Sequence, residues 1–387
     1  MNRFSIHGLN LDQYRSVFIS IGIRHRSNYH WGHPMGKSGN PAFLNKSVLL
    51  TGAGGSIGSA LARVVLASEP RLIVLLDQSE RSLHEVETSL NSLPYSGARV
   101  AILGDVCDSE LLGEILGRHR PDIILHAAAC KHVPLMERNP IAAVRTNAVG
   151  TNILAKAAAK FGVPYLIMIS TDKAVSPRSI MGASKRAAEL ALLRWTTGRS
   201  CMRAIRLGNV LGSQGSVVQT FEQQISVGGP VTVTHPNASR YFLDMERAVE
   251  LIFAVLSLNE EGCIFLSDLG EPVRILDLAH ETIRKAGFQP ELEIPITWIG
   301  LRPGDKISET FVAECESVTP TGDPKLFGVT TPQVPEDEFD HLINNLTAGV
   351  THRDASMVLE SLCKLVPGYQ PAASLLQSFS DSVALQK

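Results

Sequence analysis

A glycine-rich segment between a strand and a helix constrains this chain more than any other feature. Ser47–Leu50 is a short apolar run, Ser56–Ala67 has helical periodicity, and Thr51-Gly52-Ala53-Gly54-Gly55-Ser56-Ile57-Gly58 joins them. In that setting Gly52 makes the tight turn, Gly55 lets backbone approach a pyrophosphate, and Gly58 lets helix and strand pack closely. The helix N-terminus, at Ser56, Ile57 and Gly58, offers free N–H groups and a partial positive charge to phosphate. Asp77 follows about 20 residues on, at the end of the next apolar run, where an acidic residue meets the adenosine ribose. Its carboxylate repels a 2′-phosphate and so favours NAD, while neighbouring Ser79 and Arg81 keep NADP open.

From Lys46 onward, β-branched apolar runs alternate with helical stretches. The runs are Ser47–Leu50, Leu72–Leu76, Val100–Leu103, Asp122–His126, Tyr165–Ser170 and Met202–Leu207; the helices expected between them are Ser56–Ala67, Glu80–Leu90, Ser109–Arg118, Ile141–Phe161 and Ala183–Thr196. Uniformly apolar strands separated by helices predict an α/β fold, a Rossmann doubly wound parallel sheet buried on both faces. After Gly212 the alternation loosens, with helices expected at Glu246–Leu258 and Ile275–Ala286 and a strand at Glu291–Trp298, which suits a smaller C-terminal substrate-binding lobe. The expected divisions are an irregular arm over 1–45, a cofactor domain over 46–212, a lobe over 213–334 interleaved with the sheet, and a helical tail over 335–387.

Composition removes several classes of function. Of 387 residues, 44% are hydrophobic and 19% charged, as in globular chains. Lys+Arg 36 against Asp+Glu 38 leaves a net charge of −2, with no general attraction to nucleic acid. Six scattered cysteines, with no CxxC pair or nearby histidine at ligand spacing, predict reduced thiols and no metal site. Apolar stretches such as Leu251–Leu258 fall short of the ~20 residues of a membrane span. The run Val17–Ile23 has no cleavage site after it. These features predict a soluble, cytoplasmic chain without an integral membrane segment.

Ligands of such sheets bind beyond the carboxyl ends of the strands. Asp105 and Val106 after the third strand, and Ala127, Ala128 and Ala129 after the fourth, are therefore expected beside the cofactor. Two reactive segments lie at later strand ends, Ser170-Thr171-Asp172-Lys173 and Met181-Gly182-Ala183-Ser184-Lys185. Met181 and Lys185 are four apart, on one helical face.

With Asn147, these features resemble the extended short-chain dehydrogenase/reductase superfamily. Lys131-His132-Val133-Pro134, Ser170–Ala174, Arg206-Leu207-Gly208-Asn209-Val210-Leu211-Gly212-Ser213, Arg240-Tyr241-Phe242 and Leu301-Arg302-Pro303-Gly304-Asp305-Lys306 together resemble the UDP-N-acetylglucosamine 4,6-dehydratases of bacterial surface-glycan synthesis. The resemblance runs from about Lys46 to about Phe327. It departs from the superfamily at Met181, where a tyrosine usually accepts the alcohol proton. A thioether is no base, and the same replacement is familiar in a branch that is typically membrane-anchored.

The resemblance implies oxidation of the sugar at C4, loss of water across C5 and C6, and reduction at C6. It assigns Lys173, neutral, as base at C5 and Asp172, protonated, as acid toward the C6 hydroxyl, with Thr171 sharing the proton traffic. Met181 would pack against sugar or nicotinamide, and Lys185 and Asn147 would serve the cofactor, Lys185 at the nicotinamide ribose. Substrate would meet Lys131, His132, Asn209, Ser213, Val217, Arg240, Arg302 and Asp305, the two arginines at the UDP diphosphate. His132 reads equally well as a structural histidine. A homo-oligomer is expected. A UDP-hexose 4-epimerase and a cofactor-binding regulatory protein remain the alternatives.

Overall fold

The computed structural model describes residues 40–95, 97–259, 264–373 and 375. The run Val17–Ile23, Cys263 and the chain beyond 375 lie outside the described residues, as does nearly all of the expected N-terminal arm.

Six strands, β1 (Ser47–Thr51), β2 (Leu72–Asp77), β3 (Arg99–Leu103), β4 (Ile123–His126), β5 (Tyr165–Thr171) and β6 (Cys201–Leu207), follow the expected runs closely. They lie side by side in the order β6-β5-β4-β1-β2-β3, all parallel. The order reverses between β1 and β4, and the register Thr51↔His126 leaves their carboxyl ends level. A crevice opens at such a switch point. The sheet then continues past β6 with Ile264–Ser267, Leu326–Thr330 and Ser317–Pro320, the last two antiparallel. The segment 213–334 therefore supplies three strands of the nine-stranded sheet as well as a smaller layer around Val218, Phe221, Val231 and Leu278.

Strands β1 and β4 are buried along their whole length because helices cover both faces. Leu61, Val65 and Leu251 pack on one side of the sheet and Leu112, Leu154 and Leu192 on the other. Polar side chains mark the helix starts: Asp108 accepts from the Glu110 and Leu111 amides, Ser179 from Gly182, and Asp244 from Arg247. Gly162, at φ 65°, ends the helix before β5.

One expected element is divided. Ile141–Phe161 is a helix Pro140–Val144, a π turn Arg145–Gly150 and a helix Thr151–Phe161. The wider turn brings the Asn147 amide inward to the loop after β4, a contact at |i−j| = 17 that periodicity does not reveal. The strand expected over Glu291–Trp298 shortens to Ile296–Trp298.

Two C-terminal helices, Glu336–Thr351 and Ala355–Leu365, pack with the helix Ile180–Trp195 in one apolar cluster. Leu346 is fully buried there. Leu346→Ala is expected to lower the unfolding free energy by about 2–5 kcal/mol. Urea denaturation checks this, and a loss below ~0.5 kcal/mol would show these helices to be peripheral.

Candidate active site

The crevice is built first by backbone. Gly52 has φ 67°, and a Cβ there would stand 2.5 Å from the Ala128 nitrogen. A Cβ on Gly58 would meet the Gly52 carbonyl at 2.0 Å. The turn therefore presses on both the loop after β4 and the following helix. Ala127 donates to Thr51, and Ala53 to Leu76, so the loop is stitched to β1 and β2. Helix Ser56–Ala67 starts at Gly55 with no side-chain cap, leaving its first-turn amides without a side-chain acceptor. A cradle closed to side chains, with uncapped amides at its mouth, fits a dinucleotide pyrophosphate.

The cleft is lined by Gly52, Gly55, Asp77, Asp105, Val106 and Ala127–Ala129, together with Gln78, Gly104 and Thr146. Asp77 is also a clasp: one carboxylate oxygen accepts from Gly54 and the other from Ser79, each at 2.9 Å. Ser79 and Arg81, expected beside the cofactor, have partners on their own helix. The Ser79 hydroxyl caps its helix and donates to Ser82, and Arg81 is exposed and paired with Glu85 at 2.8 Å. Neither lines the cleft, whose acidic residues are Asp77 and Asp105. Burial opposes ionisation of Asp105, but the Cys107 amide and Arg145 hold its carboxyl below the usual range. Asn147, also expected to serve the cofactor, is not among the residues that line the cleft. It is fully buried and joins Cys130 N and O to the Ser184 hydroxyl, bracing the cleft wall from behind.

The reactive centre lies at the end of β5. Asp172 is fully buried; its Oδ1 accepts from the Thr171 hydroxyl at 2.8 Å and from Lys173 Nζ at 2.9 Å, while Oδ2 has no partner. Lys173 Nζ also donates to Asn209 Oδ1 at 3.0 Å, joining the ends of β5 and β6. Lys185 is nearly buried, with Nζ donating to Ile169 O at 2.6 Å. Burial pushes its ammonium down to about 8, against the opposing charge of Glu189.

Met181 stands one turn before Lys185 on the same helix, near its start. It is 3% exposed and packs in the apolar cluster with Met136, Ala148 and the C-terminal helices. It fills core at the base of the catalytic helix. Buried His126, at the carboxyl end of β4, joins the Thr51 and Thr151 hydroxyls. Burial, with the Lys185 charge, drives it down to about 3, so it stays neutral as a spacer between strands.

The expected substrate residues line a wall that starts at Asn209. Lys131 Nζ donates to Gln214 O at 2.6 Å, and a Cβ on Gly215 would touch the His132 ring, so these residues hold the Ser213 loop. The Gln214 amide reaches Ser56 Oγ at 3.0 Å, tying that loop to the phosphate cradle. Val217 opens the helix that follows. Arg240 donates to the carbonyls of Ser239, Lys306 and Ile307. Arg302 is exposed and paired with Asp305 at 2.8 Å.

The family model described as polysaccharide biosynthesis protein matches residues 48–331. The probable polysaccharide biosynthesis protein EpsC of Bacillus subtilis (strain 168) is 43% identical over 275 residues, 70% of this chain and 46% of that protein. The chain thus spans about half the length of that relative. The UDP-N-acetylglucosamine 4,6-dehydratase (inverting) of Campylobacter jejuni subsp. jejuni serotype O:2 is 31% identical over 283 residues, 71% of this chain and 80% of that protein. Among solved structures, that of Pen from Bacillus thuringiensis superimposes with a TM-score of 0.67 at 26% identity, covering 79% of this chain and 99% of its own.

Two predictions follow from this geometry. Gly52→Ala adds a backbone clash to about 1–2 kcal/mol of left-handed strain, and NAD affinity by equilibrium dialysis is expected to fall roughly tenfold or more. Lys185 loses its proton near 8 when folded but keeps it to 10.5 when unfolded. The unfolded chain therefore binds more protons between those values, and stability rises with pH across that window. Relative to Lys185→Met, the wild type should gain stability from pH 8 to pH 10; parallel urea-denaturation profiles would exclude this.

Proposed function

The chain belongs to the polysaccharide biosynthesis protein family, and on that premise we propose that it is an NAD-dependent 4,6-dehydratase of UDP-N-acetylglucosamine. The observation that carries this reading is the Asp172–Lys173 pair at the end of β5: an acid and a base 2.9 Å apart, one carboxylate oxygen buried and unpartnered, on the strand beside the dinucleotide crevice. Bound nicotinamide supplies the acceptor and donor of electrons at C4 and C6 of the sugar. Gly52, Gly55 and the amides after it hold its pyrophosphate, and Asp77 its ribose.

Elimination needs a group to take the C5 proton and one to protonate the departing C6 hydroxyl. Lys173 and Asp172 reach that state from their ion pair by passing one proton along the 2.9 Å bond. Lys173, then neutral, takes the C5 proton, and Asp172 delivers its own to the leaving oxygen. The pair returns to an ion pair. The proton released from the C4 hydroxyl on oxidation passes to solvent, and Lys173 gives a proton to C5 as C6 is reduced and is recharged from solvent, so the whole cycle gains and loses none. Thr171, donating to Asp172 Oδ1, holds the carboxyl while it changes charge. Asn209 keeps Lys173 Nζ at the strand end.

Incubation with UDP-N-acetylglucosamine and NAD is expected to yield a product lighter by one water. Conversion to UDP-N-acetylgalactosamine at unchanged mass would instead identify an epimerase, and retained NAD without product a binding protein. In Lys173→Ala, solvent deuterium should no longer enter C5; normal incorporation would remove Lys173 as the base.

A further inference from the structure

Behind the reactive turn lies a charge cluster that the proposed chemistry does not use. Arg206, on β6, is fully buried and all five of its N–H donors are engaged. Nε and Nη2 reach the two oxygens of Glu189 at 2.9 and 2.8 Å. Nη2 and Nη1 reach those of Glu316, each at 2.7 Å, and Nη1 also reaches Phe311 O at 2.8 Å. Arg186 adds a second cation, 2.8 Å from Glu189 and 3.3 Å from Glu316, and donates to the Thr331 hydroxyl. Two arginines thus balance two glutamates. Burial opposes ionisation of Glu189, but Arg206 and Arg186 hold it well below the usual carboxylate range.

Such a cluster is a poor source of stability, because desolvating the ions offsets their attraction. Its value is geometric, since a bidentate fork fixes both partners in plane and direction. Glu189 Oε1 also accepts from the Ser170 hydroxyl at 2.7 Å. One turn earlier on the same helix, Lys185 donates to Ile169 O. Two adjacent residues at the end of β5 are therefore pinned to one helix immediately before Thr171, Asp172 and Lys173. On its far side the fork holds Phe311 and Glu316, whose segment follows the Leu301–Lys306 loop, and the Phe311 ring meets Tyr241 edge-on at 5.1 Å.

We propose that Ser170, Glu189, Arg206 and Glu316 form a positioning relay: the buried Arg206 fork sets the Thr171–Lys173 turn for proton transfer and makes that setting depend on the docked 311–316 segment. The relay rests on the dehydratase reading only for its consequence in catalysis; the coupling of turn to segment stands apart from the substrate. None of the four residues touches a reacting atom, and each acts through the turn.

Ser170→Ala removes one hydroxyl without unpairing a buried charge, and Glu316→Gln keeps shape while removing one charge. Both are made in the full chain with NAD bound. Amide hydrogen exchange at residues 169–173 is expected to quicken roughly tenfold in each, the scale of one lost hydrogen bond to a charged group, with protection in β1 unchanged. Unchanged exchange at 169–173 overturns the relay, whether or not the chain turns over a UDP-sugar. With UDP-N-acetylglucosamine, Ser170→Ala should slow deuterium entry at C5 about tenfold while KM and the rate of C4 oxidation change less than about twofold. Equal slowing of both steps would mean a merely structural role and would also overturn it. A wild type that turns over no UDP-sugar defeats the dehydratase reading and leaves the exchange measurement as the test.

Discussion

The buried Arg206 guanidinium is the constraint on which the reactive half of the molecule depends. A charge with no access to water is tolerated only when every donor is met, and here five donors find acceptors on the catalytic helix and on two residues of a distant loop. That requirement joins β6, the helix Ile180–Trp195 and the 311–316 segment into one unit. Ser170 is inside it, so the last residues of β5 inherit its rigidity. The cofactor half rests on a different principle. Gly52 and Gly58 lie so close to neighbouring backbone that no side chain is admitted, and shape alone fixes the cradle.

The two halves meet through a few polar contacts. Lys173 to Asn209 links the turn to the start of the substrate wall, and Gln214 links that wall to Ser56 and Lys131. The dinucleotide crevice and the β5 turn therefore share backbone that runs from one half to the other. This arrangement suits a reaction in which the same sugar is oxidised, dehydrated and reduced without leaving.

What was legible in the sequence was the part set by local rules. Strand and helix periodicity, the glycine spacing and the Asp77 offset depend on neighbours along the chain, and the six parallel strands and the crevice match them closely. Residues whose partners are far away could be named but not interpreted. Asn147 is claimed by Cys130 and Ser184, Arg240 by the carbonyls of Lys306 and Ile307, and Arg206 by Glu316 across |i−j| = 110. A polar side chain in a motif reads as facing ligand until its buried competitors are known. Ser79 and Arg81 have local partners instead, a helix cap and an i,i+4 ion pair.

Met181 brings these arguments together. Met181 shares its apolar cluster with Tyr369, whose buried hydroxyl has no hydrogen-bond partner. Burial, reinforced by the Glu137 carboxyl, pushes the Tyr369 phenol far up, so it stays protonated and offers no base. A thioether asks for no hydrogen bond and fills the volume. At the β5 turn, Asp172 keeps a buried carboxylate oxygen unclaimed. Packing at Met181 and rigidity at Ser170 are thus complementary. The first puts an apolar side chain at the start of the helix, and the second holds the end of β5 in place.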